Sequence, residues 1–364
     1  LGGGENSCAQ QKQILSALGI VCEPAAALLA EAEEGQNVPD IVIDAVFGTG
    51  LFREVEGTAR EMIGAVNALG GRGAFVLSVD IPSGVRADSG EIQGTAVYAA
   101  LTVSFAFRKL GQLLYPGAGC CGELLLKDIG IPAQALGRTP KEREEIVFTL
   151  DRKDLSGLLP RIPEAHKGIY GRTLLVAGSA GMAGAAILCA EAAFAAGAGM
   201  VRLVAPESER ALLQSRLPEA MVSTYTGGQE DEEALMERLA QDLQWADSMA
   251  VGPGLGRTEV SQTVLHAILK LTGTPVFADK TLVLDADALF LTGSDPALWK
   301  LLTCRDRRAR VILTPHPGEY AALRHAKSGN MAGTAAERLS DGPALAAELD
   351  ASVVCKDART LVCS

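Results

Sequence analysis

Two carboxylates in the first half of the chain stand where α/β folds do chemistry. Asp44 closes an apolar run and opens Asp44-Ala-Val-Phe-Gly48-Thr-Gly50; Asp80 closes a second run and opens Asp80-Ile-Pro-Ser83-Gly84. Ligands of open parallel sheets bind at the carboxyl ends of strands, which is where both runs deliver their charge. Asp44 and Asp80 on neighbouring strands can bind a cation, or one of them can act as a proton-transfer base. Gly48 and Gly50 would let backbone N–H groups approach an anion closely. Each motif also has a plainer reading, with Asp44 as the solvated end of a tight turn and Asp80 as a cap on the turn before Pro82. Lys109, after the apolar run 101–107, can pair with such a rim or sit on the surface.

The second half places four loops in similar positions. His166-Lys-Gly-Ile-Tyr-Gly-Arg leads into a strand and then Gly178-Ser-Ala-Gly181-Met-Ala-Gly184-Ala185, a glycine loop whose backbone donors face an anion at a helix start. It is followed by Gly252-Pro-Gly254-Leu-Gly256, Asp285-Ala-Asp287-Ala-Leu289 and Thr314-Pro-His316-Pro-Gly318-Glu319. A short-chain dehydrogenase opens in a similar way, but its Tyr-x-x-x-Lys pair is absent from this half. Of four histidines, His316 is the one whose backbone is stiffened by proline on both sides, which favours ligand contact over a metal site.

These residues require strands to deliver them. β-Branched runs at 41–46, 74–79, 101–105 and 124–126, then at 173–176, 201–204, 248–251, 283–284, 311–313 and 352–355, alternate with helical patterns such as 59–69 and 185–196. That alternation predicts an α/β fold of two domains, an N-terminal Rossmann-like three-layer sandwich at 1–140 and a second α/β domain at 150–364. The stretch 133–163, charged and punctuated by Pro140, Pro160 and Pro163, is the expected linker, with the boundary near 150. Residues 9–18 form an amphipathic helix on the same reasoning.

Composition narrows the partners. With 33 Lys and Arg against 44 Asp and Glu, the summed field opposes phosphate backbones, so nucleic acid is not an expected partner. An anionic small molecule must then be held by local devices, the glycine loops above. Eight cysteines lack C-x-x-C pairing and read as reduced thiols of a cytoplasmic protein. No apolar stretch reaches membrane-spanning length.

The ordered motifs DAVFGTG, VDIPSG, TVSFAFRKLG and PGAGCCGELLLKDIGIP, over about 40–132, resemble the epimerase domain of the NAD(P)H-hydrate repair family. HKGIYGR, GSAGMAGA, GPGLG, LDADAL and TPHPGEY, within about 165–360, resemble its dehydratase domain, which has a ribokinase-like fold. The resemblance implies K⁺ held by Asp44 and Ser83. It implies hydrated nucleotide against Gly48, Thr49, Gly50, Leu51, Phe52, Arg53, Glu54 and Asp80, with Asp80 as the catalytic carboxylate. In the second domain it implies substrate at Ala185, Gly254 and His316, and ADP or ATP with Mg²⁺ at the segment Lys356, Asp357, Ala358, Arg359 and Thr360. Asp357 stands where that family has glycine. The implied activity is epimerisation of hydrated NADH or NADPH and nucleotide-dependent dehydration of one epimer by a homo-oligomer. A ribokinase-like kinase of a small alcohol or vitamin precursor, and a non-catalytic nucleotide-binding scaffold, are the alternatives. The chain starts at Leu1 and stops at Ser364 after a run, 360–363, that reads as a strand, so both ends are expected to be cuts. The family's Asn-Asn-Gly-Gly-Asp loop would precede this chain, and its Gly-x-Gly-Asp helix start would follow it.

Overall fold

Strands that are apolar on both faces call for cover on both; the second half of the chain buries its central strands in this way, whereas in the first half Ile41, Ile43 and Phe75 stay exposed on one face of the sheet among the described residues. The computed structural model describes residues 5–23, 27, 30, 38–132, 135, 147–157, 164–226, 232–305, 308–328 and 333–364. The chain divides into two compact units, Leu1–Phe148 and Thr149–Ser364. The expected linker at 133–163 lies mostly outside the described residues.

The first unit contains α1 (Glu5–Ala17), β1 (Ile41–Asp44), α2 (Gly57–Gly71), β2 (Phe75–Val79), β3 (Leu101–Phe105) and β4 (Glu123–Lys127). Its four strands form a parallel sheet in the order β1-β2-β3-β4. Asp44 is in register with Ser78 and Val79 with Val103, so the Asp44 and Asp80 loops leave the same edge of the sheet. Ile63, Val66 and Leu69 form one stripe of α2. Ile63 and Val66 pack with Leu51, Val55, Val76 and Val97 into a core directly beneath those loops. Full burial of a side chain such as Ile63 contributes about 1.5–3 kcal/mol, and it anchors both ends of the loop that follows Asp44.

The second unit is a larger version of the same plan. β5 (Arg172–Val176), α3 (Ala183–Ala195), β6 (Met200–Pro206), α4 (Arg210–Arg216) and β7 (Met221–Tyr225) come first. α5 (Glu232–Trp245), β8 (Ser248–Val251), α6 (Glu259–Thr272), β9 (Thr281–Leu284), α7 (Asp287–Ser294) and α8 (Pro296–Thr303) follow. β10 (Arg310–Leu313), α9 (Pro317–Ser328), α10 (Ala335–Leu349), β11 (Ser352–Cys355) and β12 (Leu361–Cys363) complete it. The sheet order is β12-β11-β10-β9-β8-β5-β6-β7, parallel throughout except for the antiparallel β12. Both units are thus mixed α/β with parallel sheets, the expected fold class. The run 360–363 contains the strand Leu361–Cys363, as its apolar pattern implied. β7 was not legible: an edge strand with Ser223 and Thr224 in its middle carries a weaker apolar signal than the central strands.

Candidate active sites at the strand ends

In the first unit the most buried charged side chain among the described residues is Asp44, 1% exposed at the end of β1. Its Oδ2 accepts the Ser83 backbone N–H at 2.8 Å and the Ser78 hydroxyl at 2.8 Å. Its Oδ1 accepts the Ser83 hydroxyl at 2.5 Å and, more weakly, Val46 N–H at 3.4 Å. Ser83 Oγ in turn accepts Phe47 N–H at 2.8 Å and lies 3.4 Å from the Phe47 carbonyl oxygen. Ser83 is fixed here because Gly84 is at φ +95°, where a side-chain Cβ would lie 1.9 Å from the Thr95 carbonyl oxygen. The plainer reading of Asp44 as a solvated turn end is therefore wrong, because the strand pairing seals it under Ser83. All of its donors among the described residues are neutral, and a buried carboxylate with only neutral donors is electrostatically incomplete. Asp44 Oδ1, Ser83 Oγ and the Phe47 carbonyl form a cluster of hard oxygens, which fits a monovalent cation.

Asp80 has a different environment. It sits at φ +66°, a left-handed conformation that costs a non-glycine residue about 1–3 kcal/mol and persists only when its surroundings impose it. Those surroundings are an ion pair with Lys109, a hydrogen bond from Phe105 N–H to Oδ1 at 3.1 Å, and one from Gln112 Nε2 to the Asp80 carbonyl at 2.5 Å. Lys109 is thus paired rather than solvated. The loop 48–54 between β1 and α2 is exposed except at Leu51, whose side chain belongs to the core and leaves only its backbone toward the open side. A Cβ on Gly48 or Gly50 would meet nothing within 4 Å, so glycine there keeps space open in front of the backbone.

In the second unit the strand-end loops are tied to one another. Gly254, at φ +64°, leaves no room for a side chain, since a Cβ would lie 2.6 Å from the Ala185 Cβ at the start of α3. Ser179 Oγ donates to the Gly254 carbonyl at 2.9 Å, and Gly178 N–H to the Pro253 carbonyl at 2.9 Å. Asp287 accepts Gly256 N–H and Arg257 Nε, each at 2.9 Å. Lys356 Nζ reaches Asp285 Oδ1 at 2.5 Å, and its backbone N–H donates to the Pro315 carbonyl at 2.8 Å. His316 caps α9: its Nδ1 accepts Gly318 N–H at 3.0 Å and Glu319 N–H at 3.3 Å, while Nε2 faces Glu319 Oε1 at 3.1 Å. An accepting Nδ1 places the ring proton on Nε2.

Residues 173–364, more than half of the chain, match the family described as NAD(P)H-hydrate dehydratase. The chain belongs to the NAD(P)H-hydrate dehydratase family. Residues 3–111 match the family described as YjeF-related protein N-terminus. Among curated relatives, the bifunctional NAD(P)H-hydrate repair enzyme of Thermofilum pendens is 36% identical over 325 residues, covering 89% of this chain and 57% of its own length. The enzyme of the same name from Escherichia coli is 33% identical over 285 residues, covering 78% of this chain and 49% of its own. The chain therefore spans about half the length of the curated relatives it matches. A solved ADP/ATP-dependent NAD(P)H-hydrate dehydratase from Bacillus subtilis is 30% identical, with a TM-score of 0.44 over 58% of this chain and 67% of its own.

In this dehydratase-family chain, the segment Lys356 to Thr360 is the turn joining β11 to β12, with Cys355 opposite Leu361. Asp357 is occupied there by the protein itself: it pairs with Arg338 of α10 and accepts Ala358 N–H at 2.7 Å. Arg338 is buried and also donates to the Gly333 carbonyl at 2.6 Å. A cavity of about 630 Å³ opens beside the glycine loops at the ends of β5 to β8, lined by Ser179, Met182, Tyr225, Leu255 and Arg257 among others. Ala185, Gly254 and His316 are not among its lining residues. Burial pushes the Tyr225 phenol up to about 12, so it meets the cavity as a neutral hydroxyl. Among the described residues no group of three or more His, Cys, Asp or Glu is placed to hold a metal. No helix among them is long and apolar enough to cross a membrane.

Several functional neighbours escaped sequence reasoning. Ser78, Ser104 and Gln112 are buried polar residues that complete the first rim, whereas Asp285 and Asp287, which tie the second together, lie in a loop that the sequence did mark. A signal existed for two of them. A serine in the middle of an apolar strand, as in Val-Leu-Ser78-Val and Val-Ser104-Phe, must find a partner once buried.

Proposed function

We propose that the protein repairs hydrated NADH and NADPH: the first unit, about 1–140, inverts the hydroxylated ring carbon, and the second, about 150–364, removes water from one epimer with ADP or ATP as phosphoryl donor. The observation that carries the reading is the rim of the second unit, where Ala185 and Gly254 meet and Lys356 bridges the Asp285 loop to the chain beside His316. That rim brings the family's glycine loops to one edge of a parallel sheet, the place where such sheets bind nucleotides. Its amides at the start of α3 suit an anionic substrate.

The chemistry follows from a poor leaving group. Phosphoryl transfer to the substrate hydroxyl forms an O–P bond as the donor's terminal P–O bond breaks. The ring nitrogen's lone pair then expels phosphate, and the neighbouring carbon gives up a proton to restore the double bond. Mg²⁺ would arrive on the phosphates of the donor, the usual mode for this ion at phosphoryl-transfer sites. Lys356 to Thr360 would hold the donor and His316 would orient the hydrated nucleotide. In the first unit Asp80 would exchange the proton during inversion while loop 48–54 holds the nucleotide. K⁺ would be held by Asp44 and Ser83, where it would neutralise a buried carboxylate and fix the loop carrying Phe47. A cytoplasmic homo-oligomer acting on a small molecule, without nucleic acid, suits the acidic chain and its buried thiols.

The complete polypeptide, given both epimers and ADP or ATP, should restore the absorbance of reduced nicotinamide from the whole mixture. Recovery from one epimer alone would remove the epimerase half of the reading. No recovery with either donor would remove the dehydratase half.

A further inference from the structure

Asp80 is held more tightly than a turn residue requires. One of its carboxylate oxygens, Oδ1, takes both the Phe105 N–H and the Lys109 ammonium, while Oδ2 has no hydrogen-bond partner among the described residues. Lys109 has nothing left to offer a ligand. Its three N–H bonds go to Asp80, to the Ser104 hydroxyl at 3.2 Å and to the Phe105 carbonyl at 3.0 Å. The buried Gln112 closes the set: Oε1 accepts the Lys109 backbone N–H at 2.8 Å and the Ser104 hydroxyl at 3.1 Å, and Nε2 holds the Asp80 carbonyl. The chain bends to achieve this. Asp80 and Ala106, at the ends of the neighbouring strands β2 and β3, are both left-handed, with φ of +66° and +59°. The second bend follows Phe105, just before the segment that carries Lys109.

We infer that Lys109 is the positioning residue of the first site, clamping Asp80 by Oδ1 so that Oδ2 is the oxygen that exchanges a proton with the hydrated nucleotide. The inference rests on the reading of Asp80 as the proton-transfer carboxylate of an epimerase. A carboxylate free at both oxygens samples rotations that aim neither at the substrate, whereas one tied at Oδ1, with its backbone carbonyl also tied, has one orientation. Preorganisation of that kind is expressed in turnover more than in affinity.

The test uses the complete polypeptide with Lys109→Met, Lys109→Arg, Ser104→Ala and Asp80→Asn. Epimerisation is followed above its spontaneous rate, and dehydration of the competent epimer serves as the internal control for folding. Lys109→Met should lower the epimerisation kcat by about 10- to 100-fold with KM changed less than about 3-fold. Lys109→Arg should recover part of the loss, and the dehydration rate should not move. Ser104→Ala, which removes one acceptor of the ammonium, should lower kcat several-fold and gives the answer if Lys109→Met does not fold. Wild-type kcat in Lys109→Met or Ser104→Ala, or a loss carried wholly by KM, overturns the inference while leaving the role of Asp80 intact. Wild-type epimerisation in Asp80→Asn overturns that role itself, and the inference with it.

Discussion

Replacing Ser83 with alanine tests whether Asp44 is a buried charge waiting for a cation. The hydroxyl donates to Asp44 Oδ1 at 2.5 Å and accepts Phe47 N–H at 2.8 Å, so the substitution removes both bonds together. A hydrogen bond to a charged group contributes about 1.5–3 kcal/mol, and an N–H left unsatisfied costs about 1–3 kcal/mol. Oδ2 keeps its bonds from Ser78 and the Ser83 backbone, so the loss should lie near the low end of that sum, about 3 kcal/mol. For a unit of this size that is a fall in Tm of roughly 6–12 °C. Calorimetry should place the fall in the transition that tryptophan fluorescence does not report, since Trp245 and Trp299 both belong to the second unit. Repeating the scan in KCl and in choline chloride of equal ionic strength adds the cation. At 100 times its dissociation constant, K⁺ should stabilise the native protein by about 2.7 kcal/mol, and Ser83→Ala should lose most of that gain. A variant within about 0.5 kcal/mol of the parent, a margin typical of surface substitutions, would refute the account of Asp44. An equal K⁺ shift in both proteins would refute the placement of the ion.

Three further outcomes follow from the geometry. Gly254→Ala forces a left-handed alanine against Ala185 and should destabilise the second unit by about 2–4 kcal/mol in a denaturant titration; adding Ala185→Gly should restore the packing share, and strict additivity would show that the two do not meet. Asp357→Gly strips the buried Arg338 of its carboxylate and, since Asp357 is partly solvated, should cost about 1–2 kcal/mol. The same change should tighten ADP binding several-fold by calorimetry, and weaker binding would mean that Asp357 helps the nucleotide. Burial pushes the Cys121 and Cys355 thiols up to about 12, so the folded chain keeps protons that the unfolded chain releases near 9. Stability should accordingly be intact below pH 9 and decline from there toward pH 12, with exposed Cys22 and Cys304 reacting with a thiol reagent at pH 8 while Cys121 and Cys355 wait for unfolding. Prompt labelling of the buried pair would contradict this.

The sequence by itself determined the strands other than β7 and where their loops emerge. Runs such as Ile41 to Asp44, and Val283 to Leu284 within what proves to be the strand Thr281–Leu284, announce themselves by apolar residues next to turn residues, a signal that needs no knowledge of what lies beside them. It also marked Asp44, Asp80 and the glycine loops as the residues at strand ends. What those residues do to one another was decided only by the tertiary structure. Asp44 finds Ser83 across 39 positions, Lys109 finds Asp80 across 29, Ser179 finds Gly254 across 75 and Lys356 finds Asp285 across 71. Periodicity reports the few neighbours of a residue along its own element, whereas sheet order and register bring distant loops to one edge. For that reason the two aspartates, alike in sequence as carboxylates at strand ends, differ in the folded protein. One is buried among neutral hydroxyls and suited to a cation, and the other is clamped by a lysine at one oxygen, the second having no hydrogen-bond partner among the described residues.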